Sequence, residues 1–216
     1  MLVYASKLLS IVGIFRPLPE IIKLFNKGAS EVCEGQQLDM IFEDRDVVSE
    51  DEYIEMIRLK TAVLLGMSLQ LGALLAGASQ QDQQAICEFG VNIGIGFQLK
   101  DDLLDVYADQ EKFGKQVGGD IIANKKTFLL IKALENAKGQ TEKSLKEWLC
   151  KEKFNSEEKV QAVTKIYDEL GIRGLTEAKS NVYFDQGFKS LRKLDVSLQK
   201  RAALKGFAEL LIDRVS

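Results

Sequence analysis

Proline is confined to one short stretch of the sequence, and this constrains the fold more than any other feature. The only prolines are Pro17 and Pro19, and residues 20–216 contain none. A proline inside a helix removes a backbone hydrogen bond and clashes with the preceding turn, so long helices require chain without it. Apolar residues also recur every three or four positions, which is the spacing of one helix face. The sequence therefore predicts an all-α fold with several long helices.

The predicted helices cover most of the chain. They span residues 2–14, 19–43, 50–77, 81–108, 123–137, 141–150, 156–170, 172–191 and 196–214. Ser49 followed by Glu52 forms a capping box at one helix start. Ser156 marks another, because Glu157 and Glu158 place negative charge in the first turn, where the helix dipole favours it. Without repeats or linkers, we interpret residues 1–216 as a single domain.

Histidine is absent from the chain, which narrows the chemistry available to it. A metal would have to be held mainly by carboxylates, which favour hard ions such as Mg²⁺. The three cysteines, Cys33, Cys87 and Cys150, are scattered, which predicts buried or inert thiols in a reducing cytosol rather than a disulfide framework or a zinc site. The net charge of -3 argues against a nucleic-acid or membrane-surface binder, but a local basic pocket for a small anion remains compatible with it.

The N-terminal segment, residues 1–15, is apolar apart from Lys7 and a few small polar residues. It is shorter than the ~20 residues that a membrane-spanning helix needs. It also lacks the clear charge and cleavage pattern of a secretory signal. We interpret it as a core helix, and we expect no stable membrane insertion.

An aspartate cluster on one predicted helix is the strongest candidate for chemistry. Residues 94–105 read GIGFQLKDDLLD. Residues three and four apart share a helix face, so Gln98, Asp101 and Asp105 should project together, with Asp102 beside Asp105. Carboxylates so close repel one another, and a divalent cation would relieve that repulsion.

An acidic patch on a solvated helix face is the alternative for this cluster. The rest of the helix argues against it, because a helix that is apolar nearly all round is buried and a buried carboxylate needs a partner such as a metal. Gly94 and Gly96 each cost a helix about 1 kcal/mol relative to alanine. Their presence predicts a close approach by another helix or by a ligand.

Glycines and lysines follow the aspartate helix in residues 113–127, which read FGKQVGGDIIANKKT. Glycine lets the backbone approach a phosphate and lysine supplies a point charge, although an ordinary helix-helix loop with solvated lysines has the same composition. Upstream, Lys60 lies mid-helix among apolar residues and needs a counter-charge unless its side chain extends to the helix edge. Gln36 and Asp39 share a face, which an interhelical or capping hydrogen bond would also explain.

At this point the chain resembles the trans-isoprenyl diphosphate synthases, the family of farnesyl, geranylgeranyl and longer polyprenyl diphosphate synthases. The resemblance extends over about residues 31–131. The motifs that carry it are EGQQLDM at 34–40, KT at 60–61, FQLKDDLLD at 97–105, FGK at 113–115, GD at 119–120 and KKT at 125–127. Each motif is weak alone, but six in order with family-like separations form a specific signal.

The resemblance implies an all-α, long-helix bundle of the isoprenoid synthase type around a central cavity, usually a homodimer. It implies a cytoplasmic, Mg²⁺-dependent prenyltransferase whose partners are an allylic diphosphate and isopentenyl diphosphate. The allylic diphosphate ionises and the double bond of isopentenyl diphosphate attacks the carbocation. Metal ions and fixed cations stabilise the leaving diphosphate, and dry apolar walls protect the carbocation.

The resemblance also implies roles for individual residues by motif position. The magnesium ligands would be Asp101 and Asp105, supported by Asp102. The groups that bind the allylic diphosphate would be Lys60, Lys115 and Lys125. The groups that polarise or shield the developing carbocation would be Thr61 and Gln98. The groups in the cavity wall would be Gln36 and Asp39.

The chain departs from the family at its N-terminal side. Family members carry an earlier DDxxD motif followed by two arginines, and the EDRD at 43–46 has the wrong spacing and place for it. We therefore expect a bundle without the N-terminal helices, exposed apolar surface, oligomerisation and very low condensing activity of the chain alone. A fragment of a longer synthase, a subunit of a split enzyme and a non-catalytic partner remain open. A terpene cyclase is disfavoured, because its second metal motif is not found after Asp105.

Overall fold

The computed structural model describes residues 18–108 and 117–213, and helices dominate both ranges. In chain order the helices of these two ranges are α1 (Leu18–Glu43), α2 (Glu50–Ile57), α3 (Val63–Leu75), α4 (Gln80–Tyr107), α5 (Gly119–Ile122), α6 (Phe128–Asn136), α7 (Gly139–Cys150), α8 (Ser156–Glu169), α9 (Ile172–Arg192) and α10 (Leu198–Asp213). One π-helical turn, Arg58–Ala62, joins α2 to α3. No strand occurs in these two ranges, and the all-α prediction is confirmed.

Most of the predicted helices end close to where the sequence placed them, and the capping box of Ser49 and Glu52 is present. The predicted helix at 2–14 lies outside the described residues. The predicted cap at Ser156 is wrong by one residue. The side chain of Asn155 caps α8, because its oxygen accepts hydrogen bonds from the backbone N–H groups of Glu157 and Glu158.

The predicted helix at 123–137 is wrong at its N-terminal end. Asn124 has a φ of 53°, a left-handed conformation that ends the short helix α5. The next helix, α6, begins only at Phe128, where the side chain of Thr127 accepts a hydrogen bond from the backbone N–H of Leu130. Residues 123–127 therefore form a turn where the sequence predicted the start of a helix.

Helix α4 lies at the centre of the bundle, packed between α3 and α9. Its two predicted close approaches are made by neighbouring helices. A Cβ atom on Gly94 would lie 2.7 Å from the Cα atom of Ala62, and one on Gly96 would lie 2.6 Å from the ring of Phe184. Alanine at either position would force the helices apart, so these glycines fix the distance of α4 from both neighbours.

The buried cluster nearest the candidate site joins α1, α2, α4 and α6. It is an apolar core made by side chains that include Phe42, Tyr53, Met56, Leu99 and Phe128. Tyr53 is the only one of these five that carries a polar group, and its hydroxyl needs a partner at this depth. The core therefore supports the side chains that border the candidate site.

Several large apolar side chains remain exposed, as the sequence leads us to expect. Ile22, Leu64 and Leu75 on α1 and α3 are 43%, 50% and 61% exposed. The segment Glu50–Leu75 is long and apolar enough, by length and composition alone, to cross a membrane. The core helix of a globular bundle meets the same criterion, and this segment packs against both α1 and α4.

Candidate active site

The π-helical turn Arg58–Ala62 carries the first two candidate residues, Lys60 and Thr61. The Nζ atom of Lys60 lies 2.6 Å from Oδ2 of Asp39 on α1. The side chains of the lysine and the aspartate are 34% and 17% exposed, so water screens the ion pair only in part. The counter-charge required for a partly buried Lys60 is therefore Asp39.

The sequence predicted one uninterrupted helix where this π-helical turn occurs. Such a turn holds one more residue than an α-helical turn and is frequent at functional sites. It is closed by the N–H of Val63, which donates to the carbonyl of Arg58. Helix α1 presses on it closely, because a Cβ atom on Gly35 would collide with the backbone nitrogen of Lys60. The turn presents Lys60 to α1 and the following residue, Thr61, to α4.

A chain of hydrogen bonds links this turn to the aspartate helix. The hydroxyl of Thr61 donates to Oε1 of Gln98 over 3.3 Å, and Nε2 of Gln98 donates to Oδ1 of Asp102 over 3.4 Å. The hydroxyl of Tyr53 donates to the other oxygen of Asp102. Both carboxylate oxygens of Asp102 are thus engaged by uncharged donors inside the protein.

Asp102 is buried, with 3% of its surface exposed, and this dominates its electrostatics. Burial raises the pKa of its carboxyl to about 7, against the hydrogen bond from Tyr53, which lowers it. The carboxylate that adds to the increase is Asp120, not Asp101 or Asp105 as the sequence led us to expect. Burial and the neighbouring charge of Asp102 also raise the pKa of Tyr53 well above its ordinary value.

The three aspartates of the motif point to different surroundings. Asp101 is exposed to solvent, whereas Asp102 is turned inward to Tyr53. Asp105 is partly buried, and its Oδ2 accepts a hydrogen bond of 2.9 Å from the backbone N–H of Asp120. Within residues 18–108 and 117–213, no three acidic or thiol side chains gather closely enough to hold a metal ion by themselves.

The segment after the aspartate helix supplies the second positive charge. Nζ of Lys125 lies 3.4 Å from Oδ1 of Asp120, and the lysine side chain is 41% exposed. Burial opposes the charge of Lys125, but the carboxylates of Asp120, Asp102 and Asp39 outweigh it and raise the pKa of the lysine. Lys125 is therefore firmly cationic in a field made by three aspartates.

A cleft with a volume of about 430 Å³ opens beside these charges. Its lining residues are Asp39, Phe42, Glu43, Met56, Ala123, Asn124, Lys125 and Lys126. The charged side chains of its lining are two lysines and two carboxylates, and the apolar side chains of Phe42 and Met56 come from the buried core. The arrangement can hold an anion beside an apolar group.

Two of the predicted site residues remain. Lys115 lies outside the described residues, and Gln36 is exposed on α1. Two other residues contribute without having been predicted to do so. Tyr53 belongs to no motif in the sequence and lies two turns before Lys60. Asp120 was noted only within the glycine-aspartate motif at 119–120.

Comparison with known proteins gives a consistent result. The amino-acid pattern that defines the family described as polyprenyl synthetase matches residues 1–167. A geranylgeranyl pyrophosphate synthase of Geoglobus acetivorans is 37% identical over 201 residues, which are 92% of this chain and 60% of that protein. A short chain isoprenyl diphosphate synthase of Methanocaldococcus jannaschii is 41% identical over 144 residues, which are 67% of this chain and 44% of that protein.

Solved structures agree in fold. A crystal structure of a geranylgeranyl pyrophosphate synthase superposes with a TM-score of 0.91 at 38% identity and covers 98% of this chain and 65% of its own. A geranylgeranyl pyrophosphate synthase of Corynebacterium glutamicum, complexed with calcium and isoprenyl diphosphate, has a TM-score of 0.83 at 26% identity. That match covers 100% of this chain and 64% of the other. The chain thus spans less than two thirds of the length of these proteins.

Proposed function

The chain belongs to the polyprenyl synthetase family, and from this premise we propose that its site serves a Mg²⁺-dependent prenyltransferase. The reaction is the condensation of an allylic diphosphate with isopentenyl diphosphate. The observation that carries the proposal is that Lys125 and Asp39, from separate elements, line one cleft with an apolar wall, and that Asp120 pairs with Lys125. Because the chain spans only part of its relatives' length, the activity is proposed for the protein as a whole.

Magnesium fits the donor set that the chain offers. The ion prefers oxygen and is commonly bound by one or two carboxylates together with substrate phosphates. Asp101 and Asp105 would hold it, because neither carboxylate is fully buried, whereas both oxygens of Asp102 are engaged inside the protein. The lack of a three-ligand cluster in the described parts of the chain agrees with an ion completed by diphosphate oxygens. When bound, the ion neutralises the diphosphate and makes it a better leaving group.

The side chains around the cleft would bind and orient the substrate. Lys60 and Lys125 would bind the diphosphate oxygens, each exchanging part of its present carboxylate contact for the substrate. The oxygen atoms of Thr61 and Gln98 would face the positive charge that develops as the carbon–oxygen bond breaks. The walls at Phe42 and Met56 would exclude water from that carbocation. The proton of the final step would pass to the released diphosphate, so no histidine is required.

Two relatives support this assignment. One is a geranylgeranyl pyrophosphate synthase that shares 37% of the aligned residues. The other, from Corynebacterium glutamicum, has the same fold and was solved with calcium and isoprenyl diphosphate. Calcium, like magnesium, is a hard cation that takes oxygen ligands. The first relative agrees with a prenyl diphosphate as the ligand class, and the second agrees with a site for a cation and a prenyl diphosphate.

A second candidate function is that of a subunit which pairs with a chain that carries the first DDxxD motif. Exposed apolar side chains such as Ile22, Leu64 and Leu75 favour burial against further helices. We also propose a homodimer or higher oligomer on the same grounds. The two candidates differ in whether the chain alone can complete the condensation.

A condensation assay tests the proposal. The chain is incubated with Mg²⁺, geranyl diphosphate and labelled isopentenyl diphosphate, and longer prenyl diphosphates are separated by chromatography. We expect Mg²⁺-dependent product at a low rate, lost in Asp105→Ala and retained in Asp185→Ala, which removes an exposed carboxylate of α9. Mg²⁺-dependent binding without product would favour the subunit, and absence of both would contradict the two candidates.

A further inference from the structure

A lysine outside the candidate site is completely buried. Lys159 on α8 has no exposed surface. Its Nζ atom donates to the carbonyl of Ile122 over 3.1 Å and to Oδ1 of Asn124 over 2.7 Å, and it lies 4.3 Å from the centre of the Phe154 ring. No described carboxylate forms an ion pair with it. A lysine is almost never buried so fully without a counter-charge, because desolvation of its ammonium is costly.

The partners of Lys159 belong to the turn that follows α5. Ile122 is the last residue of α5, so its carbonyl accepts no hydrogen bond from a following helical turn. Asn124 holds the positive φ that reverses the chain, and its Nδ2 donates to the carbonyl of Leu149 at the end of α7. The side chain of Asn124 is thus fixed from two sides, by Lys159 and by α7.

The segment 119–127, which contains this turn, also carries Lys125 and the backbone N–H of Asp120. Lys125 follows Asn124 directly, and the backbone N–H of Asp120, in α5, donates to Asp105. The ion pair of Lys125 and Asp120 is exposed enough to contribute little orientation by itself. The direction of Lys125 must therefore come from the backbone to which it is attached.

We propose that Lys159 is a positioning residue, which fixes the 119–127 segment so that Lys125 and the N–H of Asp120 face the diphosphate site. The proposal rests on the proposed function for its ligand. Two hydrogen bonds from α8 hold the backbone at the positive φ of Asn124. They set the geometry of a site that Lys159 itself does not contact. Loss of a purely structural lysine would lower stability alone, whereas loss of a positioning lysine also lowers diphosphate affinity.

The test compares Lys159→Met with Val163→Ala. Val163 lies one turn further along α8, is 1% exposed, and belongs to the apolar core, so its truncation destabilises the same helix but removes neither hydrogen bond of Lys159. Calorimetry with inorganic diphosphate in Mg²⁺ is run on folded samples whose stability is measured by urea unfolding. We expect both variants to lose stability, and Lys159→Met alone to bind diphosphate about tenfold more weakly, a loss of about 1.4 kcal/mol.

Hydrogen exchange gives a second measurement that does not depend on the ligand. The amides of residues 119–127 should exchange faster in Lys159→Met than in Val163→Ala at matched global stability. If Lys159→Met does not fold, Asn124→Ala removes one of the same hydrogen bonds and should show both effects more weakly.

Equal affinity and equal exchange in Lys159→Met and Val163→Ala would overturn the positioning role. Wild-type protein that binds no diphosphate in Mg²⁺ would contradict the proposed function instead. In that case the exchange rates of residues 119–127 still decide whether Lys159 fixes the turn.

Discussion

The two sides of the candidate site are held by different forces. On α4, Asp102 is buried and bonded to the uncharged side chains of Tyr53 and Gln98. On the 119–127 segment, Lys125 is partly exposed and pairs with Asp120 across 3.4 Å. Burial makes the first side rigid and its charge costly, whereas exposure makes the second side adjustable and its ion pair weak. Asp102 should therefore contribute mainly to stability, whereas Lys125 should contribute mainly to binding.

The largest effect is expected from Asp102→Asn, in the dependence of stability on pH. The folded pKa of Asp102, about 7, lies above the ordinary value of 3.8. Its contribution to the free energy of unfolding is therefore complete below pH 3.8. This contribution is lost as the pH rises towards 7, and the free energy of unfolding falls by roughly 4 kcal/mol. Urea unfolding in EDTA from pH 4 to pH 8 should show this loss in the wild type and a flatter profile in Asp102→Asn.

Asp101→Asn is the matched control for this experiment. It removes an exposed carboxylate from the same helix turn. Its pH profile should keep the slope of the wild type between pH 4 and pH 7. If Asp102→Asn also kept that slope, burial of the Asp102 carboxylate would not be the cause of the pH dependence. The distinction between the two sides of the site would then fail.

A smaller effect on stability, but a clear one on binding, is expected from Lys125→Gln. An exposed ion pair contributes about 0–1 kcal/mol, so unfolding should change little. Removal of a cation that contacts diphosphate should weaken binding about tenfold in Mg²⁺, because charge-assisted hydrogen bonds contribute about 1.5–3 kcal/mol. Calorimetry measures the affinity, and Lys143→Gln, an exposed lysine on α7, serves as the control. A large loss of stability without loss of affinity would reverse the assignment of the two sides.

The helices could be predicted from the sequence, because their signals are local. The absence of proline, the spacing of apolar residues and the capping box at Ser49 each act within a few residues of the helix they define. The turn at Asn124 could not, because the group that stabilises it, Lys159, comes from 35 residues away. The π-helical turn at Lys60 likewise depends on the approach of α1 at Gly35.

The candidate site was predictable in its residue types and less so in its geometry. The sequence placed Lys60, Gln98 and the aspartates of α4 on helices, and it required a counter-charge for a buried Lys60. It could not show that Asp102 turns inward. That direction depends on the hydroxyl of Tyr53, a residue that lies among apolar residues and belongs to no motif. Side-chain direction is decided by packing between helices, which periodicity along one helix does not contain.

Asp101 and Asp105 are the proposed ligands of magnesium, which they bind together with a diphosphate. Calorimetric titration of inorganic diphosphate with and without Mg²⁺ tests this claim most directly, with Asp101→Ala, Asp105→Ala and the control Asp185→Ala. We predict binding by the wild type and the control that requires Mg²⁺, and loss of that binding in both α4 variants. Binding of unchanged affinity in Asp101→Ala and Asp105→Ala, or equal binding in EDTA, would contradict the claim.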